Sequence, residues 1–543
     1  MAIACGLGAS AQGATDAYTL SQTDLRGTAR YLSMGGAFGA LGGDISTLIQ
    51  NPAGIGVYRS SEIAVTLDVD AQQFTMQGTG STANKYNQTR AACNNFGYIG
   101  AINVGSSVMP YFQVGVGYNR INSFERYYRG YFPELETSWS NYVATLSEGY
   151  ATGDLLGTQS YDPYFDSDVP WISALAYNTM LINPSPFQTG QAQEYVGLFK
   201  SNSTGNAQIE VRERGYTDEY AINFGGNFFD RLYWGVGFGI TDLSLTQWSY
   251  YDEQISNARV PNADDSGLVN GAAEWGIENY QKMTGTGANV KVGLIFKPIN
   301  EFRLGVAFHT PTWYNLSFTN NAWVDYGLGQ IESDGYYTFD SKVDDNDYAT
   351  TTEGYWSRKF TSPWKLMASG AGVIAGRFIL SADYVYEAYP EMSFSDRYGK
   401  FDEIVGDVKQ YYKAAHEARV GAEFRVTPAF SVRAGYAWKS SAAHEAAKQG
   451  RNYIYTSGTQ SLYEFDNDRH NITAGLGYRY GGFYIDFAYV YTRKTSEWSA
   501  FSPTPRAHNG DSMYELDSSA AYGPNAQIVN VNNRFVLTLG CKF

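Results

Sequence analysis

From Glu62 to the end of the chain, apolar and polar residues alternate with a period of two in segments separated by turns, the pattern of strands buried on one face. Leu232, Trp234, Val236, Phe238 and Ile240 share one face, while Tyr233, Gly235, Gly237, Gly239 and Thr241 share the other. Val290, Val292, Leu294 and Phe296 lead through 298–301 into Phe302, Leu304, Val306 and Phe308, which predicts a tight hairpin. Other short turns are predicted at 105–109, 229–231, 375–377, 427–429 and 480–482. Between them lie polar connections rich in Tyr, Asn, Asp and Ser, at 76–90, 130–214, 251–280, 320–353, 395–410, 441–467 and 499–527. Six short turns alternating with seven long connections predict about fourteen antiparallel strands closed into a transmembrane β-barrel, with both chain ends on the short-turn side.

The phase of each strand assigns its side chains. Val420, Ala422, Phe424 and Val426 face outward, so Glu417, Arg419, Glu423 and Arg425 face the lumen. By the same rule Lys291, Arg303, Lys365, Arg433 and Arg479 point inward, as do Asp68, Asp383, Glu387 and Asp486. A soluble sandwich would carry polar residues on its outer faces and would not confine long loops to one end. The last strand places Phe535, Leu537, Leu539, Cys541 and Phe543 in one phase and stops on the aromatic. A terminal Phe in that position resembles the signal read by the outer-membrane assembly machinery, so that machinery is an expected partner during biogenesis.

Composition agrees with a barrel and removes other classes. Aromatics make up 16% of the 543 residues, charged residues only 17%, and there are 58 Gly. The mean hydropathy is −0.34, and no apolar run approaches the roughly 18 residues a membrane helix needs. A net charge of −15 would repel nucleic acid. Cys5, Cys93 and Cys541 are too scattered for a disulfide framework, and His309, His416, His444, His470 and His508 never fall at metal-ligand spacing, so no metal or cofactor is expected. His309 reads as a polar lumen residue. Gly115, Gly117, Gly235, Gly237 and Gly239 lie on inner strand faces rather than at a strand-to-helix turn, which argues for room beside a plug and against a phosphate loop. No Ser-His-Asp arrangement is discernible, and an enzyme is not expected.

The N-terminal region breaks the alternation. Residues 1–11 are small and apolar, and Ala9-Ser10-Ala11 before Gln12 has the form cleaved from exported proteins, so 1–11 is read as the remainder of a signal peptide. Cys5 is a poor lipid-attachment cysteine because Ala2 stands where Leu is usual. Residues 12–60 are dense in small residues and predict short helices joined by glycines, with Asp44 as N-cap for 45–49 and Pro52 as its stop. Such a segment fits inside a barrel lumen where bulky side chains would not. The domains predicted are therefore a leader (1–11), a partly helical hatch (12–60) and a barrel (61–543).

Arg30-Tyr31-Leu32-Ser33-Met34-Gly35-Gly36-Ala37-Phe38, then Gly43-Asp44, then Asn51-Pro52-Ala53-Gly54, resembles the hatch of the FadL family of outer-membrane transporters for long-chain fatty acids and hydrophobic compounds. The resemblance implies a fourteen-stranded barrel plugged by this hatch, with Gly35, Gly36, Asp44 and the Asn51 to Gly54 corner as hatch or gate residues. It also implies ligand capture at the outer loops and sideways release into the membrane near a kinked third strand. The expected partners are a fatty-acid-like hydrophobic ligand, membrane lipid and lipopolysaccharide. A second reading is an accessory barrel that docks a secretion, assembly or surface-protein partner, which would present an apolar patch on its outer loops. A third, a general porin, conflicts with an intact hatch. The inward cations have two readings, as structural partners of Asp24 and Asp44 or as holders of a ligand carboxylate; the structural one is favoured for Arg303, Arg425, Arg433 and Arg479.

Overall fold

The computed structural model describes residues 13–78, 80–186, 192–262, 267–331, 337–339, 348–450, 452–456, 458–504 and 520–543. The expected leader with Cys5, and His508, lie outside the described residues. Fourteen antiparallel strands form one closed sheet. In chain order they are Glu62–Gly78, Asn84–Asn103, Tyr111–Ser123 continued by Arg126–Phe132, Thr204–Phe228, Leu232–Pro261, Leu268–Ile299, and Phe302–His309 continued by Trp313–Ile331. The eighth is Gly354–Thr361 continued by Lys365–Ile374, followed by Phe378–Glu387, Ala415–Arg425, Phe430–Lys439, Tyr463–Tyr480, Phe483–Ser499 and Asn525–Lys542. The last strand pairs with the first from Glu62↔Lys542 to Gly78↔Ala526, which closes the barrel. Phe543 extends that seam by exchanging backbone hydrogen bonds with Ser61 at 2.9 and 3.0 Å.

The side-chain phase follows the alternation. Phe238, Ile240, Val292, Leu294, Leu304, Val306, Val420 and Phe424 are exposed on the outer wall. Asp68, Asp383, Glu387, Glu417, Glu423 and Asp486 are buried in the lumen. On the fifth strand the outward apolar run ends at Ile240 and gives way to Asp242, Ser244 and Thr246, so the apolar band has the height of about nine to eleven residues expected of a membrane crossing. No described helix is long and apolar enough to cross a membrane.

All six short turns fall where the pattern placed them, but two of the seven long connections do not exist as loops. The stretches 76–90 and 251–280 are mostly strand: the fifth and sixth strands run 30 and 32 residues, far beyond the apolar band. Their polar composition reflects a sheet that leaves the membrane, where an outward polar residue costs nothing and a ladder still satisfies the backbone.

Residues 13–58 sit inside the barrel as helices Ala14–Ser21, Ala29–Ser33 and Thr47–Gln50 and a 3-10 turn Pro52–Val57. The third helix is shorter than the 45–49 span expected, starting at Thr47. Ser46 and not Asp44 holds the N-cap position; Asp44 accepts the Ser46 N–H at 2.9 Å and the Thr28 hydroxyl, and its carbonyl takes the Thr47 hydroxyl at 2.6 Å. Wall glycines make the seats. A Cβ on Gly235 would overlap Pro52, on Gly435 the backbone of Met34 and Gly35, on Gly475 Ser33, and on Gly115 Leu48 and Ile55. Gly117 likewise faces Leu48, whereas Gly237 and Gly239 make room for Asn223 and Asn289 of neighbouring strands and not for the hatch.

Gly435→Ala should displace the Met34–Gly35 turn without unfolding the strand ladder. The expected outcome is unchanged heat-modifiable gel mobility with new proteolytic cleavage between residues 22 and 60; Gly370→Ala, where a Cβ meets nothing within 4 Å, should leave both readouts as in the parent.

Candidate functional site

The hatch corner is built around Asn51. Its Nδ2 donates to Gly39 O at 2.6 Å and its Oδ1 accepts from Ala53 N at 3.1 Å, so one side chain ties the corner to the preceding glycine loop. Pro52 opens the 3-10 turn, its fixed φ suiting the first position. Asn51, Pro52, Ala53 and Gly54 are all buried. Gly35 and Gly36 adopt φ of 62° and 75°, a region that suits glycine, and Gly35 N donates to Thr473 of the wall at 3.1 Å. Gly39 N and Gln50 Nε2 both donate to Asp383, at 3.0 and 2.8 Å, and His309 Nε2 meets Gln50 O at 2.7 Å. Asp383, Gln50 and Thr473 were not among the expected site residues; nothing in the alternation distinguishes a wall polar group that meets the hatch from one that meets its neighbour.

The inward cations do not bind Asp24 and Asp44 as expected. Arg433 pairs with Glu423 at 2.8 Å and Asp486 at 2.6 Å, both on the wall. Arg425 pairs with Glu423 at 3.5 Å, and Arg303 donates to the hatch carbonyl of Leu41 at 2.5 Å. Arg479 stands exposed at the short-turn mouth. Lys291 pairs with Glu219, Lys365 with Glu387 at 3.1 Å, and Arg419 with Glu417 at 2.8 Å while reaching Tyr31 OH at 3.1 Å. The polarity of the hatch contact is reversed: hatch Arg30 pairs with wall Glu423 at 3.0 Å, and hatch Arg26 with wall Asp68 and Asp70 at 3.4 and 3.3 Å. Burial pulls the Arg26 guanidinium down, but Asp70, Asp24 and Asp68 outweigh it and hold its pKa raised. Asp24 does pair with a wall cation, Arg469, at 3.4 Å.

Above the Arg26 cluster lies a cavity of about 160 Å³. Its wall includes hatch residues Tyr18, Gln22 and Asp24, and the segment of the third strand from Asn122 to Arg126. There the third strand kinks. Its register with the fourth strand shifts between Arg120 and Asn122, Phe124 N bonds Gly215 O at 3.0 Å, and the freed Ile121 carbonyl accepts the backbone N–H of Asp24 at 2.8 Å. The ladder between the second and third strands runs from Asn103↔Tyr111 only to Asn95↔Asn119. Beyond it the second strand pairs with the first up to Met76↔Asn84, and Arg126–Phe132 pairs with the fourth. The upper third strand leans toward the first, where a Cβ on Gly130 would meet Met76. The second strand is correspondingly exposed on both faces along most of 84–93. Among the described residues only side chains span the gap: Gln88 and Arg90 meet Glu125, and the Tyr86 and Tyr127 rings lie 4.1 Å apart. No pattern in 111–132 announces the kink.

Folded structure packs into the long-loop mouth. Ser138 opens helix Trp139–Leu146, and Glu253 of the fifth strand takes the Trp139 N–H at 2.9 Å as well as the Ser138 and Tyr251 hydroxyls. Trp139 packs 4.8 Å from Trp275 in a core that includes Phe132, Trp498 and Phe501. A second helix, Asp402–Tyr411, packs Ile404, Val408 and Tyr411 onto the first hatch helix, where Tyr18 stacks on Tyr412 at 4.7 Å.

These features define a plugged transmembrane β-barrel with an interrupted wall. No protein-family model matches the sequence, and no curated protein matches it. Among solved structures, a FadL homologue of Pseudomonas aeruginosa is similar at 13% identity, covering 96% of this chain and 99% of that one with a TM-score of 0.50. The toluene transporters TodX of P. putida and TbuX of Ralstonia pickettii each share 13% identity over 96% of this chain and 99% of theirs, with TM-scores of 0.45 and 0.42. The fold is FadL-like.

Burial pushes the Asp407 carboxyl up to about 7, with Glu403 adding to the shift and a Tyr411 hydrogen bond opposing it. A carboxyl raised above its unfolded value of about 4 favours the protonated fold, so its stabilisation is full below about pH 4 and is lost as pH rises through about 7. Proteolytic resistance of 401–414 should therefore fall between about pH 4 and 7 in the parent and stay level above that, and Asp407→Asn should flatten that dependence.

Proposed function

We infer that the chain is a bacterial outer-membrane transport protein that admits hydrophobic or amphipathic small molecules by diffusion, with its short turns and both chain ends on the periplasmic side. The observation that carries this reading is the end of the second-to-third strand ladder at Asn95↔Asn119, beside a chamber floored by the hatch. In a hydrocarbon medium an unpaired strand edge is tolerated only where it lines a cavity, so an interrupted ladder next to a chamber reads as a side exit. Ligand would enter from the loop side, occupy the chamber and leave between the second and third strands into the membrane. The structures of similar fold described as toluene transporters support a hydrophobic cargo. Trp139, Trp275, Trp498 and Phe501 pack inward at the long-loop end, which favours transport over docking of a protein partner, although Phe165, Tyr355 and Tyr398 are exposed there. The Asn51 corner, held by two hydrogen bonds, does not line the chamber, whose hatch residues lie between Thr15 and Arg26; its release would loosen the plug against the wall at Gly235 and Gly293.

Cells carrying the protein should take up radiolabelled dodecanol faster than cells without it, and Asn51→Ala with Pro52→Gly should change that rate several-fold while heat-modifiable mobility stays normal. In planar bilayers the intact chain should conduct negligibly, and deletion of 13–60 should open a pore. Large currents from the intact chain, or uptake equal to empty cells, would overturn the reading.

A further inference from the structure

The chemistry of the chamber narrows its cargo, and this inference rests on the transport reading above. Inward residues of the twelfth, thirteenth and fourteenth strands form two cross-strand rows on the chamber wall. Asn471, Thr492 and Asn532 lie at one level, and Arg469, Lys494 and Asn530 lie one step nearer the long loops. The cations lining the chamber are already matched. Arg126 pairs with Glu464 at 2.5 Å and Glu213 at 3.4 Å, Lys494 with Asp466 at 2.9 Å, Arg469 with Asp24 at 3.4 Å, and Arg26 and Arg534 with Asp70. Carboxylates on the lining also outnumber cations. An entering carboxylate would therefore meet a field that repels it, and recruiting one guanidinium would strand that group's present partner.

Among the described residues, three of the four unpartnered groups on the lining are neutral amides. Asn471 accepts the Thr492 hydroxyl on Oδ1 at 2.8 Å, which fixes its amide and leaves Nδ2 without a partner. Asn532 donates from Nδ2 to Asp70 at 3.0 Å and leaves Oδ1 without a partner, as Asn530 does. Asn471 and Asn532 are 2% and 7% exposed, so these are buried, unsatisfied groups of the kind that a bound molecule would complete. Arg469 Nε is also unpartnered, on a guanidinium whose charge Asp24 already offsets. Phe124, Leu245, Met283 and Ile528 supply apolar lining to the same chamber. The geometry points to an amphipathic ligand whose polar end is uncharged and both donates and accepts hydrogen bonds, a glycoside or glycerol-ester head rather than an ionised fatty acid.

Binding of radiolabelled octyl glucoside and octanoate, which share a tail and differ in the head, is measured on the full chain in lipid nanodiscs below micelle-forming concentrations. The glucoside should bind about tenfold more tightly. Asn471→Ala with Asn530→Leu should remove most of that preference by weakening the glucoside alone, and Asn530→Leu by itself should weaken it in part and serves if the double variant folds poorly by gel mobility. Equal or tighter binding of octanoate, binding of neither, or a preference that the substitutions leave intact would overturn the assignment. Dodecanol uptake by cells is scored separately: if it persists, only the head-group assignment fails, and if it is absent the transport reading fails with it.

Discussion

In hydrocarbon there is no water to receive a backbone N–H or C=O, so a sheet that crosses a membrane must pair every strand on both sides. The register from Glu62↔Lys542 to Gly78↔Ala526 meets that demand at the seam. The second and third strands meet it only up to Asn95↔Asn119. At the register shift between the third and fourth strands the Phe124 N–H bonds Gly215 and the Ile121 carbonyl takes the hatch Asp24 N–H. The hatch is thus written into the wall's hydrogen bonding at the point where the wall departs from a closed ladder, and chamber, kink and plug form one structural unit.

What seats the hatch is shape before charge. Gly235, Gly421 and Gly435 let the wall approach the hatch backbone so closely that a Cβ would overlap it, and Gly475 does the same for the Ser33 side chain. The ion pairs add register. A buried pair replaced whole by apolar groups is often neutral, whereas one partner lost alone costs about 3–5 kcal/mol, so Arg30–Glu423 and Arg26–Asp68 penalise a misplaced hatch more than they stabilise a placed one.

The barrel was legible because the membrane imposes period-two alternation, and turn positions followed from it. The strand extensions at 251–280 were not, because outside the membrane either face can be polar and the alternation no longer separates strand from loop. Hatch glycines were readable as small residues, yet the pairing of Arg433 with Glu423 and Asp486 rather than with Asp24 or Asp44 depends on which strands become neighbours, a three-dimensional fact. The kink was implied by family resemblance alone. Its cause, a shifted register answered by Gly215 and Asp24, involves three separated segments and leaves no local signature.

The proposed route takes cargo out between the second and third strands. Gln88 and Glu125 meet across that gap through the ends of their long side chains, at 3.4 Å, so Gln88→Cys with Glu125→Cys, in a chain whose Cys5, Cys93 and Cys541 are serine, is bridged by a short bifunctional methanethiosulfonate that reductant cleaves, because a direct disulfide needs Cα atoms within about 7 Å. Dodecanol uptake by the cross-linked variant should fall to the level of cells without the protein and return on reduction. Uptake that is the same in both states, with the cross-link verified by mass, would contradict a side exit and leave the hatch as the route.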